Sequence, residues 1–145
     1  MNLADKIRTI SDFPKEGIEF KDITTLLKDA DAFQEAIDQI AERYEDEDID
    51  LVVGIEARGF LIGAPLAIAM NKGFVPVRKE GKLPGDKVVK EYDLEYGSSV
   101  LEMHKDAIDE GQKVLIVDDL LATGGTVNAT VEMVEEIGGD IVEVA

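Results

Sequence analysis

Cysteine is absent from the 145 residues. Its absence excludes disulfide staples, thiolate metal sites and cysteine nucleophiles, and fits a reducing compartment. Histidine occurs once, as His104, which reads as structural or exposed. No apolar stretch is long enough to span a membrane, because Gly or Pro interrupts each one, and Met1-Asn2-Leu3-Ala4-Asp5-Lys6 lacks the character of a signal peptide. There is no repeat and no linker-like stretch. The expectation is a single soluble, cytoplasmic domain over residues 1–145, with 45% apolar residues to build one core.

Positive charge is scarce as well. Fifteen Lys and Arg stand against 32 Asp and Glu, a formal net charge of −17, which argues against non-specific binding to nucleic acid or an anionic membrane. The few cations are not spread evenly. Lys72, Arg78, Lys79, Lys82, Lys87 and Lys90 share residues 72–90 with only Glu80 and Asp86, so this segment is +4 and the rest of the chain −21. A basic run in an acidic chain is either a solvated face or a local receptor for an anion.

The richest segment is Val114-Leu115-Ile116-Val117-Asp118-Asp119-Leu120-Leu121-Ala122-Thr123-Gly124-Gly125-Thr126. Its apolar start predicts a strand covered on both faces, as in a parallel sheet. Asp118 and Asp119 then mark the carboxyl end, where open α/β sheets bind ligands and where carboxylates can meet ribose hydroxyls or the waters of a metal. The Thr-Gly-Gly-Thr turn lets backbone N–H groups approach an anion, and the helix that follows adds its unpaired N–H groups and positive dipole end. An ordinary strand-to-helix connection with Thr126 as N-cap would share the Gly pair but does not require the acids before it. No Lys follows the glycines, so this is no Walker A loop, and it is not a G-x-G-x-x-G fingerprint.

Elsewhere, residues 31–44 place Phe33, Ala36, Ile37, Ile40, Ala41 and Tyr44 on one helical face, with Asp31 as the expected N-cap. Leu51–Ile55 reads as a short strand. Arg58-Gly59 opens an apolar helix through Met70 whose start Pro65 should distort or shift. Phe74–Val77 is another strand, and residues 88–103 suit a hairpin or mobile flap bent at Gly97-Ser98. Strand 113–117 feeds a helix from Thr126 to Ile137, stopped by Gly138-Gly139, and Ile141–Val144 begins a further strand. Strands alternating with amphipathic helices predict right-handed βαβ units: an α/β fold with a central parallel sheet flanked by helices.

Residues 117–126 resemble the phosphoribosyl-pyrophosphate motif of the phosphoribosyltransferase family, two acids followed by a Thr-Gly-Gly-Thr-like loop. Further segments, Phe13 to Thr24, Gly54-Ile55-Glu56-Ala57-Arg58-Gly59-Phe60, Arg78 to Gly85 and Tyr92 to Gly97, are similar in order to its adenine-using members. The resemblance covers essentially the whole chain. It implies the type I fold of that family, with a small N-terminal hood and a flexible flap. Relatives continue for roughly two more short elements of about 5–6 residues each, so it also implies a chain lacking the last C-terminal elements.

The implied reaction moves the 5-phosphoribosyl group from phosphoribosyl pyrophosphate to adenine N9, giving AMP and pyrophosphate in purine salvage. Mg²⁺ is the implied metal, held through substrate and water with no dedicated protein ligands. Carried over by the resemblance, Asp118, Asp119, Ala122, Thr123, Gly124, Gly125 and Thr126 bind the ribose and 5′-phosphate. Glu56, Ala57, Arg58, Arg78, Lys79 and Lys82 take the pyrophosphate, with Gly81, Pro84 and Gly85 giving a flap the means to close. Glu95, beside Tyr96, is the implied acid/base near purine N7, and Arg58 shares the catalytic role. Phe20, Lys21 and Leu120 would surround adenine. A homodimer is implied, with no nucleic-acid or membrane partner. The alternatives are a phosphoribosyltransferase for another base and a non-catalytic phosphoribosyl-pyrophosphate-binding fragment or sensor.

Overall fold

The computed structural model describes residues 3–12, 16–17, 19–56, 58–94, 97–118 and 125–144. The chain forms two compact units, Met1–Arg43 and Tyr44–Ala145.

In the first unit a 3₁₀ turn (Leu3–Lys6) precedes strands β1 (Arg8–Ser11) and β2 (Glu19–Asp22), a short helix α1 (Thr24–Leu27) and helix α2 (Ala30–Arg43). The two strands pair antiparallel, which sets Arg8 opposite Asp22. The Arg8 guanidinium donates to Asp22 Oδ2 through Nε at 3.0 Å and also through Nη2. Asp22 Oδ1 accepts from the Thr24 hydroxyl at 2.6 Å and the Thr24 N–H at 2.9 Å. The Thr24 hydroxyl first, then Arg8 and the Thr24 N–H, hold the Asp22 carboxyl at about 2, below its ordinary 3.8. A depressed carboxylate stabilises the fold fully above its unfolded value and loses that contribution as pH falls through its folded value. Asp22→Asn is therefore expected to destabilise the protein at pH 7 and to differ progressively less from the parent as pH falls through about 2, read by urea unfolding of both proteins across that range.

Helix α2 begins one residue before the expected start. Asp29, not Asp31, is its cap, because the Asp29 Oδ1 accepts from the Ala32 N–H at 3.1 Å, while Asp31 lies exposed in the first turn. Of the predicted apolar face, Ile37 and Tyr44 are buried, and Ala32, outside that face, is buried with them.

The second unit holds β3 (Leu51–Ile55), α3 (Arg58–Met70), β4 (Gly73–Lys79), β5 (Lys87–Leu94), β6 (Gly97–His104), β7 (Lys113–Val117), α4 (Gly125–Glu136) and β8 (Asp140–Val144). They form a six-stranded sheet in the order β5-β6-β4-β3-β7-β8. Strands β4, β3, β7 and β8 run parallel, as expected of strands joined through helices. The segment read as a hairpin or flap is a hairpin that extends this sheet, β6 pairing antiparallel with both β5 and β4. Its bend is not at Gly97-Ser98: those residues pair with Leu94 and Asp93 as part of the ladder.

Side-chain alternation sorts the two sheet faces. Val53, Ile55, Val75, Val77, Val114 and Ile116 share one core with Val127, Ala129, Met133 and Val134 of α4. The other face carries Gly54, where an added Cβ would lie 2.7 Å from the Phe74 ring and 2.8 Å from the Gly59 carbonyl of α3. Phe74 meets Phe60 of α3 edge to face, centroids 5.9 Å apart. Helix α3 runs unbroken through Pro65 and starts at Arg58, so the proline does not shift its start. The residue whose carbonyl loses the proline's missing donor is Leu61, on the exposed side of the helix. Helix α4 stops at Gly138 in a left-handed turn (φ +98°), where the Gly138 N–H bonds the Glu135 carbonyl and the Gly139 N–H the Val134 carbonyl.

Among the described residues no helix is long and apolar enough to cross a membrane.

Candidate active site

The parallel register brings the chemistry to one edge. Ile55 pairs with Val77 and Gly54 with Val117, so Glu56, Arg78 and Asp118 each follow the carboxyl end of this buried ladder. Helix α3 starts at Arg58 and helix α4 at Gly125, both on the connections leaving those ends. Two helix N-termini therefore open beside the strand ends, the arrangement suited to anions. Val114 to Val117 are buried, and Asp118 emerges from them half-buried.

The basic segment is organised around one carboxylate. The Glu56 N–H continues the sheet by bonding the Val77 carbonyl at 2.9 Å. Its side chain accepts from Arg78 Nε at 3.2 Å, from the Lys79 N–H at 3.2 Å and from Lys82 Nζ at 2.6 Å. The carboxylate is only 9% exposed while Arg78 and Lys82 keep 36% and 47% of their side-chain surface open, so the cations remain available to a second anion. Burial pushes the Glu56 carboxyl up, but the bonds from Lys82, the Lys79 N–H and Arg78 outweigh it and the group titrates below its ordinary 4.5. Its pairing thus stabilises the fold above pH 4.5 and fades as pH falls below that value. Carbon-13 NMR of the carboxyl is expected to place its midpoint below 4.5, and Lys82→Met to move that midpoint upward.

The residues that connect β4 to β5 are tied down on both sides. Glu80 donates its N–H to the Val100 carbonyl at 3.1 Å, Gly81 to Glu102 Oε1 at 3.0 Å, and Lys105 to the Asp86 carbonyl at 3.2 Å. Leu83 is buried, and the His104 ring bonds the Pro84 carbonyl at 2.9 Å. His104 thus holds this connection in place.

Of the residues read from the sequence, Glu56, Arg78, Lys79 and Lys82 are brought together by direct bonds. Asp118, Arg58, Gly125 and Thr126 share their sheet edge as backbone positions, and Phe20 and Lys21 lie in β2 of the N-terminal unit. Ala57, Glu95, Asp119, Leu120, Ala122, Thr123 and Gly124 lie outside the described residues. Glu102 has no place in the sequence reading, and Lys87 has one only as a member of the basic segment. The available signal was an acid inside the apolar run Val100–Met103.

These features define an α/β class in which a parallel sheet presents acids, helix starts and paired cations at its carboxyl edge. The phosphoribosyl transferase domain family matches residues 22–145, and the chain belongs to the phosphoribosyltransferase family. Adenine phosphoribosyltransferases are among the relatives it is similar to. The one from Alkaliphilus metalliredigens is 61% identical over 144 residues, 99% of this chain and 85% of the relative. That from Clostridium novyi is also 61% identical, over 99% of this chain and 84% of the relative. The crystal structure of the Thermoanaerobacter pseudethanolicus adenine phosphoribosyltransferase matches with a TM-score of 0.93 at 55% identity, covering 99% of this chain and 85% of that one. The Saccharomyces cerevisiae enzyme, solved with an imino-altritol bisphosphate and adenine, matches at 0.89 and 41% identity over 99% of this chain and 86% of that one.

Proposed function

We infer that this chain transfers the 5-phosphoribosyl group of phosphoribosyl pyrophosphate to adenine N9, releasing pyrophosphate and forming AMP. The observation that carries this reading is 61% identity to adenine phosphoribosyltransferases across 99% of the chain. The sheet edge supports it: an acid after β7, two helix starts and two cations gathered by Glu56, with the Lys79 N–H on the same carboxylate, suit a sugar bearing phosphate at one end and pyrophosphate at the other.

The reaction needs no covalent enzyme intermediate. Positive charge develops on the ribose ring and negative charge on the leaving pyrophosphate, so positioning and charge stabilisation are the protein's work. In this reading Asp118 and Asp119 accept bonds from the ribose 2′- and 3′-hydroxyls, and Ala122, Thr123, Gly124, Gly125 and Thr126 receive the 5′-phosphate. Arg58, next to Ala57, grips the pyrophosphate at the start of α3, a role suited to a guanidinium fork. Arg78, Lys79 and Lys82 complete the grip, and Glu56 reaches the anion through them, because an ionised carboxylate only accepts. Glu95 donates toward adenine N7 as N9 attacks, Phe20 stacks on the base, the Lys21 backbone reads its edge and Leu120 covers its other face.

Mg²⁺ belongs to the same reading. Carboxylate oxygens at a strand end suit a hard cation that keeps its waters, and Asp118 and Asp119 would hold those waters while the ion neutralises pyrophosphate charge. Added EDTA is expected to abolish AMP formation, and Mg²⁺ to restore it.

A homodimer and a cytoplasmic location complete the proposal. Helix α3 exposes Leu61 and, 81% open, Ile68 on its outer side, an apolar surface that a second copy would cover. The lack of cysteine fits a reducing compartment. Sedimentation equilibrium at twice the chain mass of 15.8 kDa is the expected result.

A further inference from the structure

We propose that Glu102 is a positioning residue for this reaction, acting at a distance from substrate through Gly81 and Lys87 to fix the segment that carries Lys82. The proposal rests on the pyrophosphate role inferred for Arg78, Lys79 and Lys82.

Glu102 lies in β6 between the buried residues Leu101 and Met103 and is itself only 3% exposed. An ionised carboxylate at such a depth is costly unless each oxygen is paired. Both are. Oε1 accepts from the Gly81 N–H at 3.0 Å and Oε2 faces Lys87 Nζ at 3.4 Å. Lys87 Nζ in turn donates to the Leu83 carbonyl at 3.2 Å, so one buried acid holds the connection at Gly81 directly and at Leu83 through Lys87.

Lys82 stands between those two anchors. Its ammonium is pulled to Glu56 at 2.6 Å on one side while its neighbours are pulled to Glu102 on the other. Gly81 supplies the bend, with φ +83° and open space where a Cβ would stand. Sheet pairing makes the arrangement stiff, because Glu102 is opposite Arg78 in β4 and opposite Val89 in β5, the two strands that flank the connection. A pair of acids, Glu56 after β3 and Glu102 in β6, thereby fixes the spacing of the cations. Positioning of this kind governs rate, since a displacement of about 1 Å can cost ~10²-fold.

The test is steady-state kinetics of the parent protein, Glu102→Gln, Lys87→Met and the double variant, with adenine, phosphoribosyl pyrophosphate and Mg²⁺, alongside inhibition by inorganic pyrophosphate. Glu102→Gln is expected to raise KM for phosphoribosyl pyrophosphate at least ~10-fold and to weaken pyrophosphate inhibition in parallel, leaving KM for adenine unchanged. Lys87→Met should give part of the same shift, and the double variant should be no worse than Glu102→Gln alone, because both act through one segment. A lower melting temperature with both KM values unchanged would make Glu102 purely structural and overturn the proposal. Should Glu102→Gln fail to fold, Lys87→Met alone decides by the same split between the two KM values. A parent protein that makes no AMP overturns the functional reading itself, an outcome distinct from an active parent with an indifferent variant.

Discussion

Asp118→Asn is expected to lower kcat/KM for phosphoribosyl pyrophosphate by ~10²- to 10³-fold, about 3–4 kcal/mol of transition-state stabilisation, while the protein stays folded. The side chain follows four buried residues of a strand paired on both sides, which fixes its place. Asn keeps the shape but removes the charge proposed to face a ring that becomes cationic, and it exchanges one acceptor oxygen for a donor. The loss should fall on the sugar substrate, with adenine affinity retained. Circular dichroism and thermal unfolding beside the kinetics separate this from a folding defect. An Asn variant as active as the parent would mean that Asp118 is a solvated strand end with no part in the reaction.

Gly59→Ala is expected to damage stability and turnover together. A Cβ at Gly59 would stand 2.7 Å from the Val117 carbonyl oxygen, a backbone atom of a central strand that cannot rotate aside. Either α3 lifts from the sheet or the end of β7 yields. Overpacking of this kind costs ~1–3 kcal/mol, which lowers the melting temperature by roughly 2–4 °C per kcal/mol in a chain of this size. Both elements that would shift also carry residues of the proposed site, since Arg58 begins the helix and Asp118 follows Val117. Turnover should therefore fall by ~10²-fold. Differential scanning calorimetry and the AMP assay on the same preparation test both parts; parental values in each would show that helix and strand are not in the close contact described.

Local pattern made the alternating part of this fold legible. Leu51–Ile55, Arg58–Met70 and Lys113–Val117 announce themselves because they are short or medium apolar runs bounded by charge and glycine, and each appears with those bounds. The last helix, expected over 126–137, spans Gly125–Glu136. The N-terminal hairpin was not foreseen: Arg8–Ser11 and Glu19–Asp22 have no alternation to speak of, and the Arg8–Asp22 contact that joins them is invisible until the strands are paired. The bend of the second hairpin was misplaced because Gly97-Ser98 is the strongest turn signal nearby, whereas its place in β6 comes from pairing with β5. Asp29 rather than Asp31 capped α2 for a related reason, as two acids two residues apart offer the same signal and only geometry chooses.

The candidate site divides in the same way. The acidic pair and the Gly-rich turn are contiguous, so their chemistry can be read from one segment. Glu56 belongs to a motif legible in the sequence, but its grip on Arg78 and Lys82 crosses 22 and 26 residues of sequence and depends on the β3–β4 register. Glu102 is one acid among 32 in composition, and its apolar neighbours in Val100–Met103 are only a weak mark. Burial singles it out, and burial is a property of the folded sheet.

The most direct test of the functional conclusion is product formation from phosphoribosyl pyrophosphate and Mg²⁺ with adenine, hypoxanthine, guanine and orotate supplied in parallel, each product identified by mass. AMP from adenine, with no nucleotide from the other three bases, is the expected outcome. A nucleotide from another base in place of AMP, or none from any base, would contradict it.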